Sequence, residues 1–307
     1  MVTRESIFRD ILRLIVWYPI RAAILFLPHR MGLFLMALMG DIHFFSTRRR
    51  HRLLSENLTR IYHRSSDTTS IIREYFRNHY IDRLFIFIFP SFQLKDVEKF
   101  IEFQGIEHLK AALSHGSGAV LVHGHFGPVH LPLVALTRMG FALKQIGNPS
   151  DEGLSMIGRK VAFRLRLKYE EKIPAEIVKV NGFLRPIFRW LSQNGIVMIT
   201  GDGTGTEHII GKSLIGEMWG QKMYIPIGPA RLSVTTGAQL LPMFILPGKH
   251  KRYRIIIEQA FKTQRTGNEA ITELTEKFVH RLEYYISLYP GYMHFLDRFC
   301  PDKLIIT

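Results

Sequence analysis

From about Val97 onward, short apolar runs alternate with segments whose apolar positions recur at helical spacing. Continuous apolar runs of this length are the mark of strands covered on both faces. The pattern predicts strands over 97–103, 119–122, 142–146, 196–200, 239–245 and 253–257, and helices over 106–114, 129–139, 152–166, 184–193, 228–236 and 268–288. Upstream, 55–62 and 69–90 read as helices, with Ile71, Ile72, Tyr75, Phe76, His79 and Tyr80 at helical spacing. The aromatic-rich stretch 86–92 is expected in the core, with a lipid-facing patch as the alternative. This alternation predicts an α/β fold. No internal repeat or low-complexity linker interrupts it.

The first 40 residues differ in texture. Residues 11 to 40 are strongly apolar, yet Arg13, Arg21, His29 and Arg30 break the run, so no stretch of 18 apolar residues exists. The recurring charges also argue against a cleavable signal peptide. The pattern suits two short helices lying in or dipping into a bilayer interface, with Trp17 and Tyr18 at headgroup depth and arginines on lipid phosphates; the alternative is a soluble helical hairpin packed on the main domain. The basic run Arg48-Arg-Arg-His-Arg52 would add roughly 1 kcal/mol per residue on an anionic leaflet. The expected organisation is a membrane-associating helical segment over 1–40 and a main domain over 41–307. The main domain is helical over 41–95 and α/β over 96–307.

Composition narrows the partners. The 307 residues carry 41 Lys and Arg against 26 Asp and Glu, a formal charge of +15. Such a balance calls for an anionic partner, either a phospholipid surface or an acidic substrate. No nucleic-acid-binding signature is present, so nucleic acid is not expected. A single cysteine, Cys300, excludes an internal disulfide and a cysteine-built metal site. No cofactor and no metal are expected.

The candidate chemistry lies in 118–130, Gly-Ala-Val-Leu-Val-His-Gly-His-Phe-Gly-Pro-Val-His. The apolar run places His123 and His125 at a strand's carboxyl end, where open α/β sheets carry their sites. A second apolar run, 196–200, ends in Gly201-Asp202-Gly203-Thr-Gly205, where backbone can approach a ligand closely. Around them stand Phe103-Gln-Gly-Ile-Glu-His-Leu-Lys110, Asn148-Pro-Ser-Asp151, Met218-Trp-Gly220, Ile227-Gly-Pro-Ala-Arg231 and Thr236-Gly-Ala-Gln-Leu-Leu-Pro242.

In this order the blocks resemble the lysophospholipid acyltransferase superfamily, and within it the late lipid A (lauroyl and myristoyl) acyltransferases. The resemblance runs from the basic cluster at 48–52 to Tyr292-Met-His-Phe-Leu-Asp-Arg298. It implies a central mixed sheet flanked by helices, of the glycerol-3-phosphate acyltransferase type. It also implies transfer of a fatty acyl group from acyl-carrier protein or acyl-coenzyme A to a hydroxyl of a glycolipid or lysophospholipid. The place would be the cytoplasmic face of a bacterial inner membrane. His125 would be the catalytic base, with Gly127, Asn148, Arg159, Arg164 (or Arg166), Gly203 and Arg298 as substrate contacts.

The chain departs from the family at one point. The family pattern is His, four residues, then Asp or Glu, whereas His125 is followed at that spacing by His130. A neutral His130 can accept a hydrogen bond and fix a tautomer, but it offers no negative charge. Asp202 matches the aspartate the family carries after the 196–200 strand, and is the acid expected to serve His125. Two further readings stay open on the sequence. One is an inactive relative that binds lipid or an acyl carrier; the other is an acyltransferase with an unusual acceptor.

Overall fold

The computed structural model describes residues 6–61, 68–147, 149, 151–179, 184–203, 211–301 and 303–306. The chain opens with α1 (Ile7–Ile15), a π-helical turn through Pro19, α2 (Arg21–Phe26), α3 (His29–Ser46), α4 (Arg48–Ile61) and α5 (Thr68–Leu84). It continues through α6 (Leu94–Phe100), α7 (Ile106–Ser114), α8 (Leu131–Arg138), α9 (Arg164–Glu170), α10 (Arg185–Ser192), α11 (Gly228–Thr236) and α12 (Gly267–Leu288). Helix α3 passes through residue 40, so the apolar N-terminal segment is continuous with the helical region behind it.

Among the described residues the strands are β1 (Ile101–Gln104), β2 (Ala119–His123), β3 (Leu143–Gly147), β4 (Glu176–Lys179), β5 (Ile196–Thr200), β6 (Ser213–Met218), β7 (Gln221–Pro226), β8 (Gln239–Pro247) and β9 (Tyr253–Ile257). Seven of them form one sheet in the order β1-β9-β8-β2-β5-β3-β4. Strands β8, β2, β5, β3 and β4 are mutually parallel, and β9 turns back antiparallel to β8. Helices cover both faces, which is why β2 is apolar from Ala119 to Val122. Val120 and Val122 pack toward α10, α11 and α12, while Ala119 and Leu121 pack toward α6, α7, α8 and the N-terminal helices.

The departures from the expected elements have local causes. The stretch 97–103 divides into α6 and β1, because a capping box between Gln93 and Asp96 starts a helix just upstream. The helix expected over 69–90 ends at Leu84 and continues as 3-10 turns through Pro90. The segment 152–166 yields a π-helical stretch at Gly158–Phe163 before α9. Strand β4 is a short edge strand with exposed ends, and β6–β7 is a partly exposed hairpin, so neither carries a continuous apolar run. Trp219 and Gly220 both adopt positive φ at the hairpin tip, as a two-residue primed turn requires.

The N-terminal helices invert the usual amphipathic order. In α1 the polar side docks: Asp10 and Arg13 both bond Ser155 of the main domain, at 2.6 and 3.1 Å. The apolar side, with Ile7, Phe8, Ile11 and Leu12, is left exposed. In α3 the exposed stripe is Met31, Phe34, Leu38, Ile42 and Phe45, at helical spacing. Its opposite face, with Leu33, Met36 and Phe44, is buried.

Helix α3 is fixed on α5 by one close crossing. The Asp41 carboxylate is gripped by Arg73 (2.8 and 3.0 Å) and Arg77 (2.7 and 2.6 Å), which hold it well below the usual carboxylate range. Gly40 makes the approach possible, since a Cβ there would stand 2.6 Å from the Arg77 Cα. Gly40→Ala is therefore expected to destabilise the fold by about 1–3 kcal/mol, read as a lower Tm. At Gly32 in the same helix a Cβ would meet nothing nearer than the side-chain carbons of Ile24 and Ile88 at 3.5 Å, an ordinary contact. Gly32→Ala should leave Tm unchanged or raise it, since alanine is the better helix former.

Candidate active site

Strands β2 and β5 lie side by side, and their chain connections pass on opposite faces of the sheet. Helix α8 follows β2 on one face, and α10 precedes β5 on the other. A crevice between two such carboxyl ends is the usual place for a site in an open sheet. Here the pairing extends past the regular ladder, because the Gly201 N–H donates to the His123 carbonyl at 2.8 Å. That bond brings the loop of His125 against the loop of Asp202.

Asp202 binds His125 twice. Its Oδ2 accepts the His125 backbone N–H at 2.5 Å, and its Oδ1 accepts the ring Nδ1–H at 2.8 Å. The carboxylate therefore fixes the ring's orientation and assigns the proton to Nδ1, leaving Nε2 as the basic nitrogen. Gly124 leaves the space for this, since a Cβ there would meet Leu282 at 2.7 Å and Asp202 Oδ2 at 3.3 Å. Asp202 is 7% exposed, so the pair is sheltered from solvent screening. Burial works against the charged imidazole, but the Asp202 charge and hydrogen bond outweigh it, with a contribution from Asp82. The His125 pKa is raised above its ordinary value.

The neighbouring histidines differ. His123 is 1% exposed; burial pushes it down to about 4, so it is neutral at pH 7. Its Nδ1–H donates to the Gly124 carbonyl at 3.0 Å. His130 stands at the start of α8, where its carbonyl accepts the Val134 N–H. Burial, then the Arg166 charge, lowers its pKa, so it too is neutral. The ring nitrogen of His125 that the sequence left for His130 to engage is held by Asp202 instead.

The other expected contacts fall into three groups. Gly127 and Gly203 stand in the two loops with φ of +67° and +66°, conformations that glycine adopts without strain. Arg298 lies over the Phe295 ring at 5.8 Å, and Phe295 meets the His125 ring edge-on at 5.1 Å. Arg298 is thus one aromatic ring away from the dyad. Arg159 and Arg164 are exposed on their segment; among the charges acting on His130, Arg166 is the strongest. Asn148 lies outside the described residues, as do Thr204 and Gly205.

Two features were not read from the sequence. The first is a narrow apolar pocket that reaches His125 and Asp202, lined by Phe126, Met218, Met223, Leu282, Ile286 and Met293. The second is a C-terminal strap over the His125 loop. Phe126 and Met293 form a β-bridge, the Gly127 N–H donates to Tyr292 O at 2.9 Å, and the His294 N–H donates to His125 O at 3.0 Å. The His294 ring also donates from Nε2 to the Gly127 carbonyl. Helices α4 and α5 hold the strap from behind. Asn57 donates to Leu296 O at 2.7 Å, Asn78 to Gly291 O at 3.0 Å, and Arg50 to Asp297 at 3.1 Å. These partners lie more than 200 residues from the strap, so no local pattern announces them.

Comparison with known proteins places this geometry in context. Residues 4–300 match the family described as bacterial lipid A biosynthesis acyltransferase. A phosphatidylinositol mannoside acyltransferase of Mycobacterium tuberculosis (strain ATCC 25618 / H37Rv) is 30% identical over 146 residues, 45% of this chain and 42% of that protein. A phosphatidylinositol mannoside acyltransferase of Mycolicibacterium smegmatis is 26% identical over 197 residues, 62% of this chain and 60% of that protein. The chain thus spans about half the length of these relatives.

The dyad geometry generates a test that needs no substrate. In Asp202→Asn the negative charge beside Nδ1 is gone while the side-chain shape is kept. The His125 pKa is expected to fall below its wild-type value, followed by NMR titration of the labelled ring. An unchanged titration would show that Asp202 does not set the state of His125.

Proposed function

The chain belongs to the bacterial lipid A biosynthesis acyltransferase family, and on that premise we propose that it is a membrane-associated acyltransferase with His125 as its base. The observation that carries this reading is a partly buried His–Asp pair that opens on an apolar pocket. Nε2 of His125 takes the proton of an acceptor hydroxyl as the oxygen attacks the carbonyl of an acyl thioester. Asp202 stabilises the imidazolium that forms. Collapse of the tetrahedral intermediate breaks the carbon–sulfur bond, and His125 returns the proton to the departing thiolate. The products are an ester and the free thiol carrier, and the base is regenerated without a metal.

The donor in this reading is acyl-carrier protein or acyl-coenzyme A. The pocket lined by Met218, Met223 and Met293 has room for about one water as it stands, and its adaptable methionine side chains let it widen for a fatty chain. The acceptor is a glycolipid or lysophospholipid hydroxyl. The mycobacterial relatives are named for a mannosylated phospholipid, which supports a glycosylated acceptor here.

The membrane enters through the N-terminal helices. Phe8, Phe26, Phe34 and Phe45 are 70, 90, 68 and 72% exposed, a concentration of exposed rings on the first three helices that suits contact with lipid. Burial of one such side chain is worth roughly 1.5–3 kcal/mol. With a formal charge of +15, the reading is a peripheral protein on an anionic leaflet, and in a bacterium that leaflet is the cytoplasmic face of the inner membrane. No described helix is long and apolar enough to cross a membrane.

Two experiments test this. With vesicles, a lipid acceptor and a labelled thioester donor, His125→Ala should lose at least ~10³-fold in turnover, and Asp202→Asn ~10²- to 10⁴-fold. Full turnover by folded His125→Ala would overturn the assignment. Separately, Phe26→Asp combined with Phe34→Asp should weaken binding to anionic vesicles at least ~10-fold without altering the circular dichroism spectrum. Binding should also weaken with salt. Unchanged binding by the double variant would move the lipid contact elsewhere.

A further inference from the structure

The loop between His125 and α8 meets a carboxylate that is not its own. Asp82 of α5 accepts the Val129 N–H at 3.0 Å through Oδ1. Its Oδ2 lies 3.9 Å from His294 Nε2, the nitrogen that donates to the Gly127 carbonyl. One carboxylate therefore bonds the amide that follows Pro128 and stands beside the histidine that holds the carbonyl before it, in the turn that leads into α8. Val129 immediately precedes His130, the position where the family pattern carries its acid.

We infer that Asp82 is a positioning residue that supplies from α5 the negative charge that the 125–130 segment lacks, with the His125 base as its target. This rests on the reading of His125 as base. Three lines of chemistry support it. First, the amino end of α8 carries a partial positive charge, so an anion is favoured there and an imidazolium at His130 is not. Second, Asp82 is only 19% exposed in its side chain, so its field is not lost to water.

Third, the groups facing His125 leave Asp82 a distinct part. Asp202 comes from the loop after β5 and His123 from its own strand. His130 opens α8, with Arg166 and Glu170 of α9 acting on it. His294 and Phe295 come from the strap. Of the charges that raise the His125 pKa, Asp202 acts through a hydrogen bond and by charge, and Asp82 by charge alone. The imidazolium formed during transfer would thus face two carboxylates delivered by two different elements.

The test separates charge from structure. Asp82→Asn keeps an oxygen to accept the Val129 N–H but removes the charge; Asp82→Ala removes both. In Asp82→Asn the NMR titration of His125 should move to lower pH, whether or not an acyl substrate has been found. Where turnover is measurable, kcat should fall roughly ten- to hundredfold with KM little changed. The acid limb of the kcat/KM profile should move to lower pH, because the base is deprotonated more easily without a second anion. Adding His130→Glu to Asp82→Asn should return much of the lost kcat and move the limb back.

An unchanged His125 titration in Asp82→Asn would overturn the inference and reduce Asp82 to a loop brace. So would a loss of kcat that His130→Glu leaves untouched. If Asp82→Asn folds poorly, His130→Glu alone carries the test. A carboxylate at this helix start should raise the His125 pKa in the wild-type background, and an unchanged titration would show that charge in this turn does not reach the base and would overturn the inference. Absence of acyl transfer in the wild type would strike the proposed function, while the titration arm would still decide the role of Asp82.

Discussion

The hydrogen bond from the Gly201 amide to the His123 carbonyl carries the β2–β5 ladder one step beyond its last regular pair. That step fixes the separation of two loops which otherwise belong to distant parts of the chain. With the loops held, the Asp202 carboxylate meets both the amide and the ring of His125, and a single tautomer results. The glycines at 124 and 201 are the steric condition for it. A Cβ at Gly201 would stand 2.7 Å from Phe278 and Val122, so the loop lies directly on the core. Core packing and proton chemistry are therefore not separable here; the same backbone register sets both.

The parts of the fold that were legible in the sequence are those with a local physical signature. Strands β2, β5, β8 and β9 are covered on both faces and so read as apolar runs. The long α12 reads from its periodic buried face. His125 and Asp202 stood out because each is a polar residue that ends such a run. What was not legible depends on contacts without local periodicity. The β6–β7 hairpin is half solvated and lacks a continuous apolar run. Asp82 looks like any polar residue on the amphipathic helix α5, and nothing near it in the chain shows that Val129 will be its partner. Among Arg159, Arg164 and Arg166, only the helix's orientation decides which charge is felt by His130.

The N-terminal helices and the site share a support. Helix α5 receives α3 at the Gly40 crossing, carries Asp82 at its far end, and through Asn78 holds the strap at Gly291. One rigid helix thus connects the exposed apolar face to the loop of His125. A helix of 17 residues is a stiff link, so the placement of the apolar face and that of the base are geometrically tied.

The strap has a consequence for how the molecule reaches its final form. The ring of His294 and its acceptor Gly127 are 167 residues apart in the chain. Contacts of such separation carry a large loop-closure entropy and are favoured only once intervening structure has shortened the effective loop. The pairing of Ile101 with Tyr253 in the sheet spans a comparable stretch of chain, so sheet and strap depend on the same intervening structure. Once both are in place, opening of the strap frees the Gly127 amide while β2 and β5 stay paired, and hydrogen exchange at that one amide reports the strap's own stability.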